Sequence, residues 1–181
     1  SKVVYDRKHS AFSEYDFSKT DVKKLLEGYT WLHLSGITPA LGTKCRDLIL
    51  NCLKAAKEMN MTVSFDGNFR STLWTWEEAR DFCTLCLPYV NVLFGIEPYH
   101  IWKNEEDHSA GDVKDGIPFQ PDFEQQEKVF RAFADRYPNI KCIARHVRFA
   151  HSCSENSLMA YLWLNGKTYE SKRLTFHILD R

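Results

Sequence analysis

The stretch Asp66-Gly67-Asn68-Phe69-Arg70 sets an acceptor, an amide and a guanidinium at alternate positions around a glycine. In extended backbone the period of two turns Asp66, Asn68 and Arg70 to one side, with Gly67 leaving room between them. The three would then line one wall of a site. A guanidinium grips a carboxylate or phosphate in bidentate fashion, so this wall suits an anionic ligand that carries hydroxyls. In the plainer alternative Asp66 caps the turn and Arg70 is a solvated surface charge. Glu97 follows the short apolar run Asn91 to Phe94 and either faces the same crevice or favours the first turn of a helix. Arg145, His146 and Arg148 form a small basic cluster that either meets nucleotide phosphates or is the polar end of a strand. Ser35-Gly36-Ile37-Thr38 adds a turn whose glycine lets backbone approach a ligand, before a helix start with free N–H groups for an anion.

Short apolar runs alternating with longer helical ones must position these residues, which is the pattern of an α/β fold with a mostly parallel sheet. Val3 to Tyr5 and Thr30 to Leu34 read as strands. Thr38 and Pro39 then supply an N-cap and a first-turn proline to a helix running to about Asn60. Met61 to Phe65 is the next strand, and Thr75 with Glu78 forms a capping box opening a helix that closes before Pro88. Asn91 to Phe94 follows as a strand, and His100 to Pro121 turns polar, reading as a short helix and a surface loop. A helix from about Asp122 to Tyr137 leads to a strand at Ile140 to Ala144. Leu158 to Leu164, Asn165-Gly166 and Thr168 to Ser171 read as a hairpin, since Asn-Gly suits a type I′ turn, so the sheet ends in antiparallel strands. Ligands of open α/β sheets bind outside the carboxyl ends of the strands, where the candidate residues fall.

With 181 residues, 44% of them hydrophobic and 14% aromatic, the chain has the means to fill one core. Lys+Arg and Asp+Glu balance at 24 each, which leaves no electrostatic footprint for nucleic acid or an anionic membrane. No apolar run approaches the roughly 18 to 20 residues that span a bilayer, and the first residues lack the shape of a signal peptide. A cytoplasmic protein is the expectation. The six cysteines fall in helical or strand segments, so a reduced compartment fits, and the lone Cys83/Cys86 pair reads as buried apolar filling. No metal site is read from the chain. No Gly-x-Gly-x-x-Gly follows any of these strands, which removes a dinucleotide site.

Three segments together resemble a family. Val3-Val-Tyr5-Asp-Arg7 followed by Ser10, Leu34-Ser-Gly-Ile-Thr-Pro-Ala-Leu41, and Val63-Ser-Phe-Asp-Gly-Asn-Phe-Arg-Ser-Thr-Leu-Trp74 are similar, in order and spacing, to the ribokinase-like (PfkB) carbohydrate kinases, nearest to 2-keto-3-deoxygluconate kinases. The resemblance implies a three-layer α/β/α fold and an ATP-dependent phosphotransferase that uses magnesium and acts on a sugar acid. It places Tyr5, Arg7 and Arg70 on that substrate. Asp66 and Asn68 join them, while Arg148 and Glu97 are expected on the nucleotide side. It further implies that 1–181 is one partial domain, incomplete at both ends, with a glycine-rich sugar-contacting segment ahead of Ser1. The anion hole and the catalytic aspartate are expected after Arg181, so Asp180 is not the base, and the full-length protein is expected to be a homo-oligomer. The chain departs from the family at Ile96-Glu97-Pro98-Tyr99, where an Asn-x-x-Glu motif is usual. Two other readings stay open: a related kinase of a neutral sugar such as fructose or ribose, and a non-catalytic metabolite-binding relative. Arg7 and Arg70 favour the acid, since two guanidiniums in an uncharged-sugar pocket would have no counter-charge.

Overall fold

Three caps fix where the long helices begin. Thr75 accepts from the Glu78 N–H while the Glu78 carboxylate accepts from the Thr75 N–H, and this reciprocal box opens helix α4 in the computed structural model, which describes residues 7, 9–99 and 122–178. Asp122 accepts from the Gln125 N–H and opens helix α5. The third start differs from the expectation. Thr38 makes no side-chain cap, and Pro39–Leu41 closes as a separate 3-10 turn. Gly42, at φ +141°, breaks the chain there and is itself the N-cap of the long helix, a conformation that an L side chain rarely adopts.

In chain order the helices are α1 (Ala11–Glu14), α2 (Val22–Leu26), α3 (Thr43–Glu58), α4 (Trp76–Cys86) and α5 (Phe123–Arg136). The strands are β1 (Trp31–Ser35), β2 (Thr62–Asp66), β3 (Val92–Phe94), β4 (Cys142–Ala150), β5 (Glu155–Leu164), β6 (Lys167–Glu170) and β7 (Leu174–His177). Strands β1 to β4 lie side by side and run parallel, and β5 returns antiparallel along β4. Strands β6 and β7 share the outer edge of β5, β6 pairing with its second half and β7 with its first. The β5–β6 turn holds Asn165 at φ 47° and Gly166 at φ 88°, the pair of positive angles that a type I′ turn demands. The candidate strand at Val3 to Tyr5 and the polar segment 100–121 lie outside the described residues.

The expectation for β4 stopped at Ala144, but the strand runs on to Ala150 because β5 pairs with it along its whole length. This changes the basic cluster. Residues alternate across a strand, so Arg145 points to the helix-covered face with Ile143 and Phe149, while Arg148 stands on the other. Strand β7 and the short helices α1 and α2 were not expected, since none carries a long periodic pattern.

One face of the sheet holds the core. Val63, Phe65, Leu93, Ile143, Tyr161 and Trp163 meet Ile49, Leu53 and Ala56 of α3, Phe82, Cys83 and Cys86 of α4, and Val129, Phe130 and Phe133 of α5. The helical residues recur at three- and four-residue steps, which gives each helix one apolar stripe. Truncating one fully buried ring such as Phe133 to Ala would cost about 3–5 kcal/mol. The other face is different. Trp31, Phe94, Leu158, Leu162, Leu164, Tyr169, Leu174 and Phe176 all fall on it by register, and all are exposed, Trp31 by 55% and Leu174 by 68%. Among the described residues no helix is long and apolar enough to cross a membrane.

Candidate functional site

The carboxyl ends of β1, β2 and β3 bring three turns together. Ser35 is the register partner of Asp66, and Asp66 that of Phe94, so the residues after each strand end meet at one edge of the sheet. The Gly36 N–H donates to the Asp66 carbonyl at 2.8 Å, continuing the ladder one residue past the strand. The turns pack backbone on backbone. A Cβ on Gly36 would lie 2.1 Å from the Gly67 carbonyl oxygen, and one on Gly67 would lie 2.4 Å from the Glu97 carbonyl oxygen. Glycine is required at both positions by this approach rather than by φ, which is left-handed at neither.

The backbone does not stay extended after Asp66. Asp66 Oδ1 accepts from the Asn68 N–H at 3.0 Å, and Asn68 takes φ 41°, the left-handed conformation that asparagine tolerates. This Asx turn ends the period of two that would have aligned Asp66, Asn68 and Arg70. Asn68 instead folds back toward β1, its Nδ2 donating to Ser35 Oγ at 3.4 Å, while the Ile37 N–H donates to the same oxygen at 3.3 Å. Arg70 is exposed at the mouth, and its Nη1 donates to the Phe69 carbonyl at 2.8 Å. Arg7 is half-buried, and its carbonyl accepts from the Ser10 N–H at 3.4 Å. Tyr5 lies outside the described residues. The structure therefore joins Ser35, Gly36, Asp66, Gly67 and Asn68 into one wall, with Arg70 at its rim.

Beneath that wall lies a buried polar network. Arg145 donates from Nη2 to Glu97 Oε1 at 2.7 Å and from Nη1 to Gln126 Oε1 at 2.8 Å. Gln126 is fully buried and Arg145 nearly so. Burial lowers the Arg145 guanidinium below the ordinary arginine value, and the adjacent Glu97 carboxylate opposes that shift. The second carboxylate oxygen, Oε2, accepts from the Ile96 N–H at 3.4 Å. Tyr99 packs edge-on against Phe133, with ring centroids 5.8 Å apart, and its hydroxyl lies under Gly67. That hydroxyl is buried without a partner among the described residues, and burial raises the phenol well above the usual tyrosine value.

Neither Gln126 nor Tyr99 stands out as a site residue in the sequence. Gln126 did carry a signal, being the polar member of a stripe that continues through Val129, Phe130 and Phe133. A glutamine on the apolar face of a helix asks for a buried partner. Arg148 sits apart from this network, exposed on the opposite face of β4, where its Nε donates to Asn156 Oδ1 at 2.8 Å.

The wall presents a carboxylate, a hydroxyl and a side-chain amide together. Asp66 Oδ1 closes the turn, and a carboxylate keeps further acceptor capacity on its second oxygen, next to the Ser35 hydroxyl and the Asn68 amide. Among the described residues the corner at β3 does not fit a magnesium ion. The carboxylate of Glu97 is paired with a guanidinium, and its neighbours Ile96 and Tyr99 are buried with an apolar side chain and an aromatic ring in place of hard oxygen ligands.

No protein-family model matches the chain. Among curated proteins it is similar to the 2-dehydro-3-deoxygalactonokinase of Haloferax volcanii, 36% identical over 97 residues that make up 54% of this chain and 30% of that protein. Among solved structures it is similar to the 2-dehydro-3-deoxygluconokinase of Thermotoga maritima, with a TM-score of 0.80 and 36% identity over 99% of this chain and 51% of that one. The PfkB family carbohydrate kinase of Listeria grayi gives a TM-score of 0.76 and 30% identity, covering 97% of this chain and 50% of that one. The chain spans about half the length of these solved relatives and less of the curated one. In its mixed sheet and helix layer the chain is similar, over nearly its whole length, to about half of these PfkB-family carbohydrate kinases, a 2-dehydro-3-deoxygluconokinase among them.

Proposed function

We propose that this chain is the sugar-binding part of an ATP-dependent kinase that phosphorylates a hydroxyl of 2-keto-3-deoxygluconate or a similar sugar acid. The observation that carries it is the wall formed by Ser35, Gly36, Asp66, Gly67 and Asn68 at the carboxyl ends of adjacent parallel strands, within a fold matched over almost the whole chain by a 2-dehydro-3-deoxygluconokinase. In this reading Asp66 and Asn68 hold the sugar hydroxyls. Arg70 at the rim, with Arg7 and Tyr5, holds the carboxylate. Arg70 must let go of the Phe69 carbonyl to do so, a small change for an exposed side chain.

ATP supplies the phosphoryl group when bound, and Arg148 is the residue of this chain proposed to meet its phosphates. The work of the chain is positioning: fixing the hydroxyl that reacts and excluding the wrong orientation. The catalytic aspartate is not among these residues. The chain 1–181 is then a partial domain of a cytoplasmic protein that assembles as a homo-oligomer at full length, and by itself it transfers no phosphate. The test is ADP release by the full-length protein and by chain 1–181, each supplied with 2-keto-3-deoxygluconate, fructose and ribose. Turnover confined to the full-length protein and the acid supports the reading. Turnover by chain 1–181 alone, or a preference for ribose, contradicts it.

A further inference from the structure

The fit between Glu97 and Arg145 has a consequence for cations. A carboxylate at the carboxyl end of a sheet is a natural place for a divalent ion, because a bound ion is often the largest charge in such a site. Here the position beside Glu97 Oε1 is filled by Arg145 Nη2 at 2.7 Å. The guanidinium does not arrive by chance from a flexible surface arm. It rises from the middle of β4, is 9% exposed, and is anchored at its other end to the fully buried Gln126 of α5 at 2.8 Å. Two elements therefore set its direction before Glu97 meets it.

We infer that Arg145 is a built-in cation for Glu97, which positions the β3 turn and makes this corner independent of a divalent metal ion. The effect reaches the wall of the site through one contact. The Glu97 carbonyl packs on Gly67, the residue between Asp66 and Asn68, so fixing Glu97 fixes the turn above it. A metal ion competing for Glu97 would have to displace the guanidinium. That would take its carboxylate partner from a buried positive charge, an arrangement that proteins avoid. The inference does not rest on the identity of the sugar and holds if the kinase reading fails.

The experiment uses chain 1–181, its thermal unfolding midpoint, and Mn2+ alone as probe. The unaltered chain and Glu97→Gln should respond to millimolar Mn2+ alike, with no upward shift that depends on Glu97. Arg145→Met keeps the volume and removes the charge, so its midpoint should fall and then recover as Mn2+ is added. The double variant with Glu97→Gln should lose that recovery. Arg145→Lys should stay insensitive to Mn2+, since it keeps the charge though not the planar fork. A Mn2+ shift in the unaltered chain that Glu97→Gln abolishes would overturn the inference. So would a folded Arg145→Met chain with no new response. Should Arg145→Met not fold, the comparison of the unaltered chain with Glu97→Gln and Arg145→Lys still decides.

Discussion

Gly36 and Gly67 stand backbone to backbone, so close that a methyl group on Gly36 would lie 2.1 Å from the Gly67 carbonyl oxygen. Neither backbone can yield, because the Gly36 N–H is already bonded to the Asp66 carbonyl across the β1–β2 ladder. Gly36→Ala should therefore lower stability by about 1–3 kcal/mol through overpacking, and Gly67→Ala should do the same against the Glu97 carbonyl. Urea unfolding of both variants checks this. A midpoint unchanged in either would mean that the turns do not stack as described.

The ends of β1, β2 and β3 were legible in the sequence to within a residue, but the run-on of β4 and the shape of the turn after β2 were not. Apolar runs and capping residues are local signals, and they placed α4 and α5 to within a residue or two of the observed bounds and found the β5–β6 turn, though β5 begins three residues before the expected Leu158. Whether Asp66 continues a strand or closes an Asx turn depends on what Ser35 and Glu97 offer from other strands, and that is tertiary information. The same holds for Arg145. Its sequence neighbours place it in a basic cluster, while its partners, Glu97 and Gln126, come from elements 48 and 19 residues away.

Cys83 and Cys86 are fully buried, and burial pushes the Cys83 thiol up to about 12 and Cys86 higher still. A thiol that stays protonated is neither a nucleophile nor a ready metal ligand. Mass spectrometry after brief iodoacetamide treatment at mildly alkaline pH should find Cys153, which is exposed, labelled and this pair unlabelled. Labelling of the pair in the folded chain as fast as Cys153 would contradict the packing.

Acid should weaken the start of α4. The Thr75 N–H, helped by Arg46, holds the Glu78 carboxyl below its ordinary value. A carboxyl lowered on folding adds stability above its unfolded value, and that stability is lost as pH falls through the folded value. Glu78→Gln keeps a reciprocal acceptor in the box and cannot titrate. Its urea midpoint should fall less than that of the unaltered chain when pH is taken from neutral to below the carboxylate range. Equal falls would remove Glu78 from the acid response.

The bare sheet face is large enough to act. Its eight exposed apolar residues present on the order of 700 Å² of side chain, close to the roughly 800 Å² per partner of a standard interface. An antiparallel face left to water is normally polar, and this one, mostly on β5 to β7, is apolar. Chain 1–181 in solution should bind a hydrophobic dye and sediment as more than a monomer, with Leu162→Lys and Leu164→Lys together reducing both. A monomer that binds no dye would mean that the face is covered.

The central claim, that this chain grips a sugar acid by its carboxylate, is tested most directly through Arg70 in the full-length protein. Arg70→Ala should raise KM for 2-keto-3-deoxygluconate about 10- to 100-fold, the worth of one charge-assisted hydrogen bond, and leave KM for ATP unchanged. Arg70→Lys should recover part of the loss, because an ammonium keeps the charge without the fork. Equal losses of kcat/KM for the acid and for fructose would contradict the carboxylate assignment and with it the account of the site.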